Sequence, residues 1–261
     1  MRGPSRLSYA YAVGRIRALE RRLVSSSVFR EASGEKDFPS AMKVIFDAGN
    51  FEEEIINIGN SYELDEFLAK EEEKIFRLMR ELLFEEDIFT IIAKESQPQM
   101  VLAVAEELGY AFISDYLRYR IDLGNLKILL RAKYSNLPLK KYHDMVLKGG
   151  FLDEKIFLQS YDQTFSEIGE RLRPSTYVNL WNRAIEDLEE DETFVLLERG
   201  IEDFLMIYLQ RAKYIFFGPE PVFSYALAKK RELSLVRLVG MGKFLMIPPE
   251  FIKKRISETY V

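Results

Sequence analysis

Few residues in this chain could do covalent chemistry. There is one histidine, His143, and no cysteine. A thiolate zinc site, a cysteine nucleophile and a histidine metal cage are therefore excluded. His143 stands beside Lys140, Lys141 and Tyr142, a setting that reads as surface rather than as the base of a triad. Gly240-Met241-Gly242-Lys243 has the look of a phosphate loop but not its spacing. It closes an apolar helix instead of opening one, where the helix dipole disfavours an anion. The glutamate runs Glu71-Glu72-Glu73 and Glu85-Glu86-Asp87 lack the alternating oxygen ligands of a calcium loop and read as solvated helix faces. No cofactor, metal or catalytic set is expected, so the enzyme class is set aside.

The charge that remains is arranged in blocks. Between 118 and 148 stand Arg118, Arg120, Lys127, Arg131, Lys133, Lys140, Lys141 and Lys148 against Asp122 and Asp144. From Glu186 to Asp203 the balance reverses, with nine acids against Arg199. Two readings stand side by side: mutual pairing of basic and acidic segments, or a basic surface aimed at an acidic partner. Net charge is -5 over 261 residues, and no nucleic-acid motif is legible.

The elements that carry these charges are helices. Apolar residues recur at helical spacing over 62–95, and a long helix is expected from Met100 to Lys133, with bends at Gly109 or Gly124. Gly49-Asn50 suits a left-handed cap. Ser175 or Thr176 is a candidate N-cap for the helix of Trp181, and Thr193–Tyr214 reads as a further helix. Gly218-Pro219-Glu220-Pro221 opens another, and Ile247-Pro248-Pro249 starts a short terminal one. No period-2 strand is seen. The fold class expected is all-α, and no apolar run reaches the roughly 20 residues of a membrane span.

Two long helices repeat each other. Asp122 to Lys133 overlays Glu232 to Lys243, and the register holds without a gap to Leu137-Pro138 over Ile247-Pro248. An acid, a base five residues on, a lysine eleven on and a proline sixteen on coincide. A weaker third copy is the N-terminal arginine helix followed by Phe38-Pro39, with Gly49 set against Gly150. Three expectations follow. Lys127 and Arg237 should occupy equivalent places, each paired with an acid from a preceding helix, because a lone cation is costly to bury. Gly242 should turn the chain with positive φ. The basic residues of the long helices should gather on one face.

Phe217-Gly218-Pro219-Glu220-Pro221, Tyr225, Ala228-Lys229, Glu232, Arg237, Gly242-Lys243, Pro248 and Glu250 resemble the C-terminal signature of the C subunits of V-type and A-type ATPases, whose eukaryotic counterpart is the d subunit. Asp122, Asn125-Leu126-Lys127, Arg131 and Lys133 resemble the family's middle repeat, and Tyr9, Tyr11, Arg15, Arg17 and Glu20 its N-terminal helix. Leu235 departs from the family's asparagine, which Asn125 keeps. The resemblance implies three similar helical modules, here 1–62, 63–165 and 166–261, around a pseudo-threefold funnel. It implies a non-catalytic rotor part, cytoplasmic and peripheral to the membrane, that joins the central-stalk subunits to the membrane rotor ring and transmits torque. Arg118, Arg131, Lys133, Arg15, Arg17, Lys229 and Lys243 are the expected interface residues. The competing reading is a free-standing helical scaffold for acidic proteins.

Overall fold

The computed structural model describes residues 5–261, and among these every regular element is helical. In chain order the helices are α1 (Ala10–Glu20), α2 (Ser26–Gly34), α3 (Phe38–Ala48), α4 (Ser61–Leu82) and α5 (Glu86–Ala93). Then come α6 (Pro98–Leu108), α7 (Ala111–Tyr134), α8 (Leu139–Met145), α9 (Glu154–Ser160) and α10 (Phe165–Leu172). The series ends with α11 (Val178–Asp191), α12 (Val195–Gln210), α13 (Glu220–Phe244) and α14 (Pro249–Arg255).

The chain forms two compact units. One joins the described residues up to Ile92 with Met206–Val261, and the other is the continuous stretch Ala93–Leu205. The expected module boundaries at 62 and 165 fall at the starts of α4 and α10.

In the first unit α13 packs against α1, α2, α3 and α4. It is buried without a break from Glu220 to Lys229, which makes it a central helix rather than a surface one. Val222, Phe223, Ala226, Val236 and Val239 are fully buried. Helix α4 is amphipathic, burying Leu64, Phe67, Leu68, Ile75 and Met79 at i, i+3 and i+4. In the second unit α7 has the central place, packed on α6, α8 and α9. Ile113, Leu117, Ile121, Leu126 and Leu130 are fully buried there.

Local chemistry sets the ends. Asp37 and Asn60 accept from the amides of Ser40 and Glu63 at the N-termini of α3 and α4. Thr164 and Glu167 form a reciprocal capping box on α10. Several sequence expectations shift here. The long helix expected from Met100 breaks at Gly109, whose φ of 73° ends α6, and α7 then runs straight through Gly124. Gly49 is extended rather than left-handed, with φ -109°. The helix of Trp181 starts at Val178, and Ser175 accepts from the Tyr177 amide just before it.

Candidate functional site

The repeated acids and lysines are the anchoring points of both central helices. Asp122 on α7 is fully buried and accepts from the amides of Phe151 (3.0 Å) and Leu152, and from the Tyr177 hydroxyl at 2.8 Å. Eleven residues on, Lys133 donates to the carbonyls of Tyr161 and Gln163, each at 2.6 Å. Those carbonyls lie at and just past the C-terminal end of α9, where orphan acceptors attract a cation. On α13, Glu232 accepts from the Val24 amide at 2.7 Å, and Lys243 donates to the carbonyls of Ser33 (2.7 Å) and Glu35 at the end of α2. Val24, Ser33 and Glu35 stand in one constant register with Leu152, Tyr161 and Gln163. So α7 holds a helical pair, α9–α10, that follows it, and α13 holds a pair, α2–α3, that precedes it. The same construction is present twice, with its parts in exchanged order.

This changes the third copy read from the sequence. Phe38-Pro39 belongs to the pair held by α13, not to a separate repeat. Gly150 lies against the Asp122 carboxylate, whereas Gly49 ends α3 against Val24.

Burial raises the carboxyl of Asp122 above its ordinary value, against the pull of Tyr177 and the two amides. Burial raises Glu232 as well, against the nearby Lys229 ammonium. Lys133 and Lys243 are lowered by the same loss of water.

Both helices end in the same turn. The amide of Leu137 donates to the Ala132 carbonyl at 2.9 Å, and that of Ile247 to the Gly242 carbonyl at 2.8 Å. The left-handed residue is Asn136 (φ 49°) in one and Met246 (φ 53°) in the other. Gly242 itself is helical, so the expectation of positive φ there is corrected. Its lack of a side chain serves close approach instead: a Cβ would meet Ile252 Cδ1 of α14 at 2.5 Å.

The expected interface cations are engaged within the chain. Lys127 and Arg131 share Glu198 on α12, at 3.0 and 2.5 Å. Arg237 reaches Asp65 on α4 at 3.1 Å. Lys127 and Arg237 thus sit equivalently and each has an acid, although Glu198 follows Lys127 in the chain, and both cations are at the surface rather than buried. Arg118 pairs with Glu106 and Arg15 with Glu81. Arg17 holds Glu20 and the carbonyls of Ala212 and Ile215. Lys229 is buried against Glu232, above the ring of Phe51.

A cavity of about 380 Å³ in the first unit is lined by Phe51, Glu71, Lys74, Tyr225 and Lys229. Lys74 bridges Glu52 and Glu71, so its cations and acids satisfy each other. Glu71 is buried, contrary to the solvated face expected of the glutamate run. His143 is exposed. Among the described residues no three side chains are grouped to hold a metal ion, and no helix is long and apolar enough to cross a membrane. Sequence reading missed Tyr177, the carbonyls under the lysines, and the partner of Asn125, which clips both backbone groups of Leu147 at 2.8–2.9 Å. The spacing of acid and lysine is the available signal for the first two.

Comparison with known proteins points the same way. Residues 98–255 match the ATP synthase (C/AC39) subunit family. The C subunit of the A-type ATP synthase of Haloferax volcanii is 28% identical over 54% of this chain and 41% of its own length. The protein of that name from Thermococcus kodakarensis is 25% identical over 56% of this chain and 39% of its length. The C subunit of the V-type sodium ATPase of Enterococcus hirae is 25% identical over 60% and 47%. The matches span less than half the length of these relatives. The family match takes in α7 and α13 together with everything between them, over more than half of the described residues: this chain belongs to the ATP synthase (C/AC39) subunit family.

Proposed function

We propose that the chain is a non-catalytic central-rotor subunit of a V-type or A-type ATPase. It would link the central stalk to the membrane rotor ring, transmit torque for ATP-coupled ion transport, and lie peripheral to the membrane on its cytoplasmic side. Family membership supports this reading, and so does the observation that carries it: two long central helices, each fixed near its middle and at its C-terminal end by a buried acid and a lysine. A torque-bearing part needs stiffness and broad interfaces more than chemistry. Charged side chains hydrogen-bonded to the backbone of another helical pair resist sliding in a way that apolar packing alone does not. The threefold arrangement of modules belongs to this proposal, with α7 and α13 central to two of them. The exposed parts of Arg15, Arg118 and Arg131 are its proposed contacts with partner subunits.

The test is recovery from native membranes with a tag on the full chain. Stalk and ring subunits recovered together, in constant ratio to the chain, are the expected result. Recovery of unrelated acidic proteins without any ATPase subunit would favour the scaffold reading and overturn this one.

A further inference from the structure

Two tyrosine rings are packed beside the α7 anchor that have no counterpart beside the α13 anchor. In the register that sets Val24 against Leu152, Gly49 takes the place of Tyr177, and on α13 Lys229 takes that of Tyr119. In the second unit Tyr119 lies against Phe151 and Phe204, with ring centroids 4.6 and 5.1 Å away, and Tyr177 lies 5.6 Å from Phe204. The first unit has neither ring. There the cavity of about 380 Å³ borders Lys229, a volume within the range of small-molecule sites.

The cavity wall is part apolar and part charged. Leu19, Phe51, Ile75 and Leu78 supply the apolar part. Tyr225 also lines it and is only 6% exposed, yet its hydroxyl makes no hydrogen bond among the described residues. Buried hydroxyls are normally paired, so an unpaired one at a cavity wall is left for an occupant.

The charge around the cavity says which. Lys74 is shared by Glu52 and Glu71, and Lys229 is taken up by Glu232. The ion pairs are formed, but three carboxylates meet two ammoniums, and one negative charge is left over. Burial raises the Tyr225 hydroxyl above its ordinary value, and so do the carboxylates of Glu232, Glu20 and Glu71. The hydroxyl therefore stays un-ionised in a negative field, where a cationic donor is favoured.

We propose that this cavity binds a small molecule with a ring-sized apolar body and a protonated amine, the body against Leu19, Phe51, Ile75 and Leu78 and the amine facing Glu71 and the Tyr225 hydroxyl. The site lies outside the contacts proposed for the rotor role and stands or falls apart from it.

Phenethylamine is titrated into the full chain by calorimetry, with phenylacetate as an anion of similar body. Saturable binding of the amine, and none of the acid, is expected. Tyr225→Phe removes one hydrogen bond to a charged group and should weaken binding about tenfold. It should not lower the melting temperature, because the hydroxyl has no partner in the free chain. Leu78→Trp sets an indole in the cavity and should abolish binding. Absence of amine binding overturns the proposal, as does equal binding of phenylacetate. Amine binding that both substitutions leave unchanged lies elsewhere on the chain and overturns it too. A chain that binds the amine at this cavity yet recovers no ATPase subunit leaves it intact while the rotor reading fails.

Discussion

After α7 the chain turns through Ser135-Asn136-Leu137, and after α13 through Leu245-Met246-Ile247, with the same closing hydrogen bonds in both. The anchors beneath the turns also match, acid for acid and lysine for lysine. What differs is the company each acid keeps. Asp122 takes its partners from two amides and a tyrosine hydroxyl. Glu232 takes one amide and a buried lysine, Lys229, which has no twin because Tyr119 occupies its place in α7. One geometry is thus held by neutral donors in one unit and by an ion pair in the other. Backbone geometry tolerates that exchange, and the energetics should not.

The largest effect should come from breaking that ion pair. Glu232→Ala leaves Lys229 buried without its partner and is expected to cost about 3–5 kcal/mol. Asp122→Ala strands amides and a hydroxyl but no charge, and about 1–3 kcal/mol is expected. Urea unfolding of both variants checks the order, and equal losses would break the comparison. Replacing the pair together, as Lys229→Met with Glu232→Leu, should recover much of the loss, because no lone charge remains.

Next in size is the close approach of α14. Gly242→Ala sets a Cβ against Ile252 and should cost about 1–3 kcal/mol. Adding Ile252→Val should return part of it, while Ala132 in the twin position already carries a Cβ. No loss of melting temperature in Gly242→Ala would remove the packing reason for glycine.

A pH effect is common to the two anchors, since burial raises both acids, and it can be separated by substitution. Because the folded carboxyl of Asp122 is raised, the folded chain holds a proton that the unfolded chain has already released. Stability should therefore fall as pH rises from the ordinary aspartate value, about 3.9, through the raised one. Asp122→Asn should lose the Asp122 share of that decline and keep the share of Glu232, whose carboxyl burial also raises. An identical pH slope in variant and unaltered chain would show that the carboxyl is not raised.

The smallest effect is at the turns. Met246→Asn relieves a left-handed methionine and should stabilise by about 0.5–1 kcal/mol, and Asn136→Met should lose a similar amount. Opposite signs in a thermal melt are the check.

Much of this is legible in the sequence, and the limits have physical causes. The register of Asp122, Lys127, Lys133 and Pro138 against Glu232, Arg237, Lys243 and Pro248 is readable because side-chain types carry it. Their partners at Phe151, Tyr161, Val24 and Ser33 are not, because they contribute backbone groups that any residue possesses. The exchanged order hides them too, since a repeat search expects parts in one sequence. The short helices α2, α9 and α10 escape for want of a long apolar period. Glycine's tolerance of positive φ points to Gly242 as the turn residue, yet the strained residue is Met246, which no propensity would select. Asn125 stands out in the sequence, and only the structure shows that it clips Leu147 while Leu235 is simply buried.

The rotor claim has a direct test. The chain has no cysteine, so Glu107→Cys, at an exposed position of α6, places a single label on the full chain. The labelled chain is assembled into the ATPase, and the ATP-hydrolysing sector is fixed to a surface. The expected result is stepwise rotation of the label, in one direction, only while ATP is hydrolysed. A label that stays still while ATP is turned over by a complex containing the chain would contradict the account.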